Sequence, residues 1–316
     1  MYRNLIKVSY KDMSREEWLE HRRGSIGGSE AAAIVGLNPF ETKFTVWADK
    51  LGMLDEKPET EAMRIGNDLE EYVAKRFCEA TGKKVRRENS FLHNPDLPFA
   101  HATVDRLVIG EDAGLECKTT SVMSLKRFKN GEYPANYYVQ CMHYMMVTGA
   151  KRWYLACLIL GKEFKWFTIE RDEEEIEALR VSEEEFWKFV ESKQEPEVDG
   201  SDKTSDAITH IFAESEDDVE VSLMTFGSKL QAYQAVKSQI KEFEEMKTSI
   251  ENEIKVFMEN ASSGYCGKYK VSWKNQDRNT FDSKRFMADH PEFDYSGYMK
   301  KTVTRPFKVT EIENNI

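Results

Sequence analysis

An α/β domain followed by a helical appendage is the fold the sequence predicts, and three patterns carry that expectation. Two β-branched, aliphatic runs, HATVDRLVIG at 101–110 and GLECKTTS at 114–121, flank the turn-forming stretch Gly110-Glu111-Asp112-Ala113-Gly114, the signal of a hairpin. Segments of helical period surround them: Leu69, Val73 and Phe77 recur every fourth residue, and YYVQCMHYMMVTG at 137–149 is apolar almost all round. Beyond the polar stretch KQEPEVDGSDKTSD at 193–206, one long helical pattern runs from Phe226 to Met258.

Ser14 and Glu17 stand at the spacing of a capping box and start the first helix. It leads into HRRGSIGGSEAAAIVGL at 21–37, a glycine-rich turn with Ser29 near the N-cap of a second helix. Free amides, a hydroxyl and Arg22 or Arg23 there suit a terminal phosphate. The same residues equally fit a capped turn with two surface arginines. In the helix of Leu69, Glu70 stands beside the apolar face, either as a solvated charge or as a group projecting from the face into a cleft.

The hairpin carries the densest chemistry. Alternation sends Glu116 and Lys118 to one side and Cys117 to the other. Strand pairing brings Asp105 towards Glu116. Two carboxylates supply hard oxygen ligands for Mg²⁺ or Mn²⁺, and Lys118 can position a water or neutralise charge on a phosphate in transition. An ordinary hairpin with charged side chains has the same pattern. In the 137–149 helix, Gln140 and Tyr144 lie four apart and present two polar groups from an apolar element. Such groups need partners, a phosphate, a base edge or neighbouring backbone among them. His143 reads as a packed, hydrogen-bonded histidine.

A helix is expected from about Glu173 to Ser192, with Ile176, Leu179, Phe186 and Phe189 on its apolar face, and the following polar stretch reads as a linker. In the long helix, Leu230, Tyr233, Val236, Ile240, Phe243, Ile250, Ile254 and Phe257 are spaced by threes and fours apart from one gap at Met246 and Lys247, the seam of a coiled coil or helical hairpin. A small hairpin at 264–273, a short helix in FDSKRFMADH and a final strand near Thr302 to Val309 complete the prediction. The interleaved aromatics of this tail, Tyr269, Trp273, Phe281, Phe286, Tyr295, Tyr298 and Phe307, are expected to form the core of a small domain rather than a grip on nucleic acid.

The 316 residues allow one large or two modest domains. Five cysteines without C-x-x-C spacing point to reduced thiols and against a zinc or iron–sulfur site. No apolar run approaches a membrane span, and no signal-peptide pattern opens the chain. The net charge of −11 is concentrated: residues 172–220 hold nineteen Asp/Glu against four Lys/Arg, so the remainder is positive by four. Basic tracks for a nucleic acid therefore remain open at Arg22-Arg23, at Lys83-Lys84 with Arg86-Arg87, and at Lys126-Arg127 with Lys129.

Taken in order, RRGSIGGSEAAAIVGLNPF, GNDLEE, HATVDRLV, GLECKTTS and YYVQCMHYMMVTG resemble the YqaJ-type viral recombinase family, relatives of phage lambda exonuclease with the PD-(D/E)XK nuclease fold. The resemblance spans about residues 14–190. It implies a mixed central sheet flanked by helices over residues 1–200; beyond it, composition and helical spacing add an acidic linker at 201–222 and a helical and small α+β appendage at 223–316. It further implies a Mg²⁺-dependent exonuclease that digests one strand of linear double-stranded DNA from the 5′ end and leaves 3′ tails. The alternatives are a site-specific endonuclease of the same fold, or a non-catalytic DNA-binding or assembly protein.

By the same resemblance Glu70, Asp105, Glu116 and the backbone carbonyl of Cys117 are the ligands of two Mg²⁺ ions, with Mn²⁺ as a substitute, and Lys118 is the catalytic lysine. Arg22 or Arg23, Ser29, Thr103, Gln140 and Tyr144 fall where the family gathers a 5′-terminal phosphate and DNA. The implied partners are a single-strand annealing recombinase of RecT or Redβ type and further copies of the chain in a ring, in the cytoplasm of a bacterial host carrying a phage or prophage. The family usually reads Pro-Asp-Gly around the metal aspartate, whereas this chain has Val104-Asp105-Arg106. Alternation sends Arg106 opposite Asp105, to what is expected to be the outer face.

Overall fold

The computed structural model describes residues 4–56, 58–216, 218–300 and 304–310, and the chain divides into two compact units, 1–213 and 214–316. In the first unit β1 (Ile6–Ser9) and α1 (Arg15–Arg23) precede α2 (Gly28–Ile34), α3 (Lys43–Lys50) and α4 (Glu61–Thr81). There follow β2 (Val85–Arg87), β3 (Ser90–His93), β4 (His101–Thr103), β5 (Arg106–Val108) and β6 (Ala113–Thr120). The unit is completed by α5 (Ala135–Thr148), β7 (Arg152–Ile159), β8 (Glu163–Glu170), α6 (Glu173–Ser192) and α7 (Asp202–Ile211).

A five-stranded sheet of order β2-β5-β6-β7-β8 forms the centre. It is mixed: β6 and β7 run parallel, and every other pair is antiparallel. Parallel neighbours need a crossover, and α5 is the helix between them. On one face Val73, Ala74 and Phe77 of α4 pack against Val108, Leu115, Tyr154 and Ala156. On the other face Trp153, Leu155 and Cys157 meet the apolar sides of α2, α3, α5 and α6. The alternation of β6 thus separates Leu115 and Cys117, facing α4, from Glu116 and Lys118, facing α5.

Glycine is required where the sheet meets an indole. A Cβ on Gly114 would lie 2.2 Å from the ring of Trp153, its neighbour across β6 and β7. Local signals place the helix ends as read: Ser14 and Glu17 form the capping box of α1, and Gly149 closes α5 in the left-handed region at φ 68°.

Two expectations for the layout of this unit are corrected. The run 101–110 is two strands in two sheets, because the chain leaves the antiparallel β1-β3-β4 sheet after Thr103 and enters the five-stranded sheet at Arg106. The residues between them, Val104 and Asp105, belong to neither strand. Ser29, by contrast, lies near the N-cap of α2 as read, in the first turn behind Gly27. The stretch expected as a linker from residue 201 begins instead with α7, capped by Ser201 and burying Thr204 and Ala207. Thr204 exchanges a hydroxyl hydrogen bond with Thr42 at 2.9 Å.

The second unit holds α8 (Gly227–Met258), the hairpin β9 (Ser263–Cys266) and β10 (Tyr269–Ser272), and α9 (Ser283–Asp289). The predicted long helix, small hairpin and short helix are present. The expected aromatic core is not formed among the described residues: Tyr269, Trp273, Phe281, Tyr298 and Phe307 are exposed, and the rings gather only in a chain, Phe281, Phe286, His290, Tyr295 and Phe293, half-buried at Phe286 and Tyr295, and in the pair Tyr233–Phe307. The final strand is absent over 304–309, while Thr302 and Val303 lie outside the described residues. Among the described residues no helix is long and apolar enough to cross a membrane.

Candidate active site

The interruption between β4 and β5 creates the centre of the site. Freed from both ladders, Asp105 turns its carboxylate to β6, where Oδ2 accepts the backbone N–H of Cys117 at 2.7 Å. Glu116, 2 % exposed, accepts from Gln140 Nε2 at 2.8 Å and pairs with Lys118 Nζ at 2.7 Å, both through Oε1. Gln140 Nε2 also donates to the Tyr144 hydroxyl at 2.8 Å. The two polar groups of the apolar helix therefore have defined partners, and one of these is the buried carboxylate.

The electrostatics follow from burial. Desolvation, then repulsion from Glu116 and Glu70, pushes the Asp105 carboxyl well above its ordinary range, against the pull of Lys118. Burial likewise raises Glu116, although Lys118 opposes it. Burial disfavours the Lys118 ammonium, yet Glu116 and Asp105 outweigh it and hold its pKa above the ordinary lysine value.

Glu70 is differently engaged. Arg106 shares the α4 side of β5 with Val108, and its guanidinium is buried, pairing with Glu70 and, at 3.0 Å, with Glu71. It also donates to the carbonyl of Asp105 at 2.7 Å. This corrects the expectation for Arg106: the alternation holds, but the face opposite Asp105 is covered by α4 and not open to solvent. A buried guanidinium requires a carboxylate partner, and Glu70 supplies it.

A hard cation fits this donor set in part. Glu116 Oε2 is buried without a hydrogen-bond partner, and two carboxyls are forced up where a positive charge would relax them. Oxygen-only donors match Mg²⁺ or Mn²⁺. Among the described residues, however, no three His, Cys, Asp or Glu side chains are gathered around one point. Asp105 and Glu116 are together; Glu70 is held by Arg106.

The glycine-rich turn borders a cleft of about 380 Å³ whose walls include Arg22, Arg23, Gly28, Ser29, His101 and Thr103. Its arginines are countered: Arg22 pairs with Glu30 at 2.8 Å and Arg23 with Asp49 at 3.5 Å. Gly28 lets the turn lie against Tyr144, since a Cβ there would sit 2.5 Å from that ring. Contacts thus run from the cleft through Tyr144 and Gln140 to Glu116, while Gln140 itself does not line the cleft.

Sequence reasoning missed Glu30 and Lys50. Glu30 accepts from Gly27 N at 2.8 Å and pairs with Lys50 Nζ at 2.6 Å as well as Arg22. Lys50 also donates to the carbonyls of Arg22 and Ser25 at 2.8 and 2.7 Å. The signal was available: Lys50 lies three and four residues from the buried Trp47 and Val46, on the apolar face of its helix. The basic runs at 83–87 are likewise paired, Lys83 with Glu111, Arg86 with Glu88 and Arg87 with Glu71. Lys126 and Arg127 are exposed; the side chain of Lys129 lies outside the described set.

Comparison with known proteins now decides the family. A family model described as the YqaJ-like viral recombinase domain matches residues 17–151. The chain is also 39% identical over 312 residues to the uncharacterized protein YqaJ of Bacillus subtilis (strain 168), covering 97% of this chain and 98% of that one. The chain belongs to the YqaJ-like viral recombinase family. Among solved structures, an alkaline exonuclease, LHK-Exo, from Laribacter hongkongensis superposes with a TM-score of 0.50 at 21% identity, over 56% of this chain and 93% of that one. At that identity the likeness shows the fold, the mixed-sheet PD-(D/E)XK architecture, and the YqaJ-family sheet described above agrees with it.

Proposed function

We propose that this YqaJ-family chain is a Mg²⁺-dependent deoxyribonuclease that degrades one strand of linear double-stranded DNA from its 5′ end, leaving 3′ single-stranded tails. The observation carrying this reading is the buried Asp105–Glu116 pair with an unpartnered carboxylate oxygen beside a charged lysine. The family and the exonuclease fold support the reaction class.

Asp105, Glu116 and the carbonyl of Cys117 would hold Mg²⁺, with Glu70 joining once released from Arg106. Mg²⁺ bound there supplies Lewis acidity to the scissile phosphate and acidifies a water. Gln140 fixes the carboxylate of Glu116 through its 2.8 Å hydrogen bond. Lys118, kept protonated by its carboxylate neighbours, neutralises charge growing on the phosphate and orients the attacking water. Arg22, Ser29 and Thr103 receive the 5′-phosphate in the cleft. A single-strand annealing recombinase of RecT or Redβ type as the consumer of the tails, and a ring of copies around the duplex, belong to the same proposal.

End-labelled digestion tests it. Linear duplexes labelled at 5′ or 3′, with and without a 5′-phosphate, are incubated in Mg²⁺ and in chelator beside covalently closed circles. Rapid release of the 5′ label, dependence on the phosphate and on Mg²⁺, and intact circles are expected. Lys118→Ala should abolish release while retaining binding to duplex ends. Cutting of circles, or normal digestion by that variant, would overturn the reading.

A further inference from the structure

α8 is 32 residues long, about 48 Å at the rise of an α-helix. Its apolar seam is open: Val236, Ile240, Phe243, Ile250, Ile254 and Phe257 are all exposed, Phe243 at 66% and Phe257 at 90%. An apolar stripe of this length, interrupted in the seam only at Lys247, marks an interaction surface. The spacing is strictly heptad. Tyr233, Ile240, Lys247 and Ile254 occupy one seam position, and Val236, Phe243, Ile250 and Phe257 the other, each at intervals of seven.

We propose that this seam binds the α8 of a second copy of the chain as an antiparallel coiled coil, with Tyr233 against Phe257 of the second copy and Ile240 against Ile250. Charge complementarity selects both occupant and direction. In a parallel, in-register pair Lys247 would face Lys247 in the seam, at a cost to both. Run antiparallel, Lys247 faces Phe243 and lies beside Glu244 of the other helix. Lys237 then faces Glu251 of the second copy, a pairing made twice by the symmetry of the dimer, against a single like-charge meeting of Glu244 with Glu244 of the second copy at the dyad. The intrahelical pairs of Glu251, with Lys247 at 3.7 Å and Lys255 at 3.6 Å, are exposed and weak enough to rearrange.

Molar mass of the full-length protein by light scattering, at matched concentrations, tests this independently of nuclease activity. Because the coil joins copies in pairs, Ile240→Asp and Phe243→Asp are each expected to halve the mass while circular dichroism stays unchanged; both positions lie on the exposed face. Lys237→Glu and Glu251→Lys are each expected to weaken association, and the double variant to restore it. A monomeric wild type, or an unchanged mass in both Asp variants, overturns the coil. Failure of the double swap to restore association overturns the antiparallel register.

Discussion

Replacing Glu30 by glutamine should lower the stability of the first unit by about 3 kcal/mol, at the lower end of what breaking a buried ion pair costs. The side chain of Glu30 is 2% exposed and that of Lys50 is fully buried, so the substitution strands an ammonium away from water. Two carbonyls continue to accept from Lys50, and the glutamine oxygen can replace one contact, which keeps the loss from the upper end. Burial pushes the Glu30 carboxyl up, but Lys50 and Arg22 pull harder and leave it at about 2. From an ordinary value of 4.5, that depression corresponds to about 3 kcal/mol of stability. The sign is that of a lowered carboxylate: the stabilisation is complete above about pH 4.5 and is lost as pH falls towards about 2. Thermal unfolding of wild type and Glu30→Gln, followed from neutral pH into that window, is the assay. A melting-temperature drop of about 6–12 °C is expected for a unit of this size at neutral pH, shrinking as the acid limb is reached. Adding Lys50→Met to Glu30→Gln should recover part of the loss, because the stranded charge is gone. A drop of under about 2 °C, or a difference independent of pH, would refute the idea that Glu30 is the counter-ion of Lys50.

Two further outcomes follow from contacts already described. Arg106→Ala should release Glu70 towards the carboxylate pair and tighten Mg²⁺ binding by about tenfold in calorimetric titration; unchanged or weaker binding would show that Arg106 does not withhold Glu70. Gly114→Ala should destabilise the sheet by about 1–3 kcal/mol through overpacking against the indole of Trp153, and a variant melting with wild type would contradict that packing.

Much of the site was legible because its signals are local. Alternation along β6 put Glu116 and Lys118 on one face and Cys117 on the other, and helical period put Gln140 beside Tyr144. The capping box of α1, the burial of α5 and the apolar seam of α8 were read from spacings of three and four. What failed depended on partners distant in sequence. The linker composition around 201–206 did not reveal that α3 offers α7 a surface and a hydroxyl to dock on. The tail aromatics suggested a core, but the exposed rings of that unit show that aromatic content alone does not close one.

The sequence by itself determined which residues are carried on which elements, since dihedral preference and side-chain period act within a few residues. Only the tertiary structure decided which element covers each face and therefore which charges meet. α4 over the back of β5 turned Arg106 from an outward residue into the buried partner of Glu70. The change of sheet at Val104 and Asp105 aimed the aspartate at the amide of Cys117. The close approach of α2 to α5 at Gly28 and Tyr144 brought the glycine-rich turn next to the helix that carries Gln140. All three are long-range contacts selected by packing or by the cost of leaving a buried charge unpaired, and none is encoded in a local period.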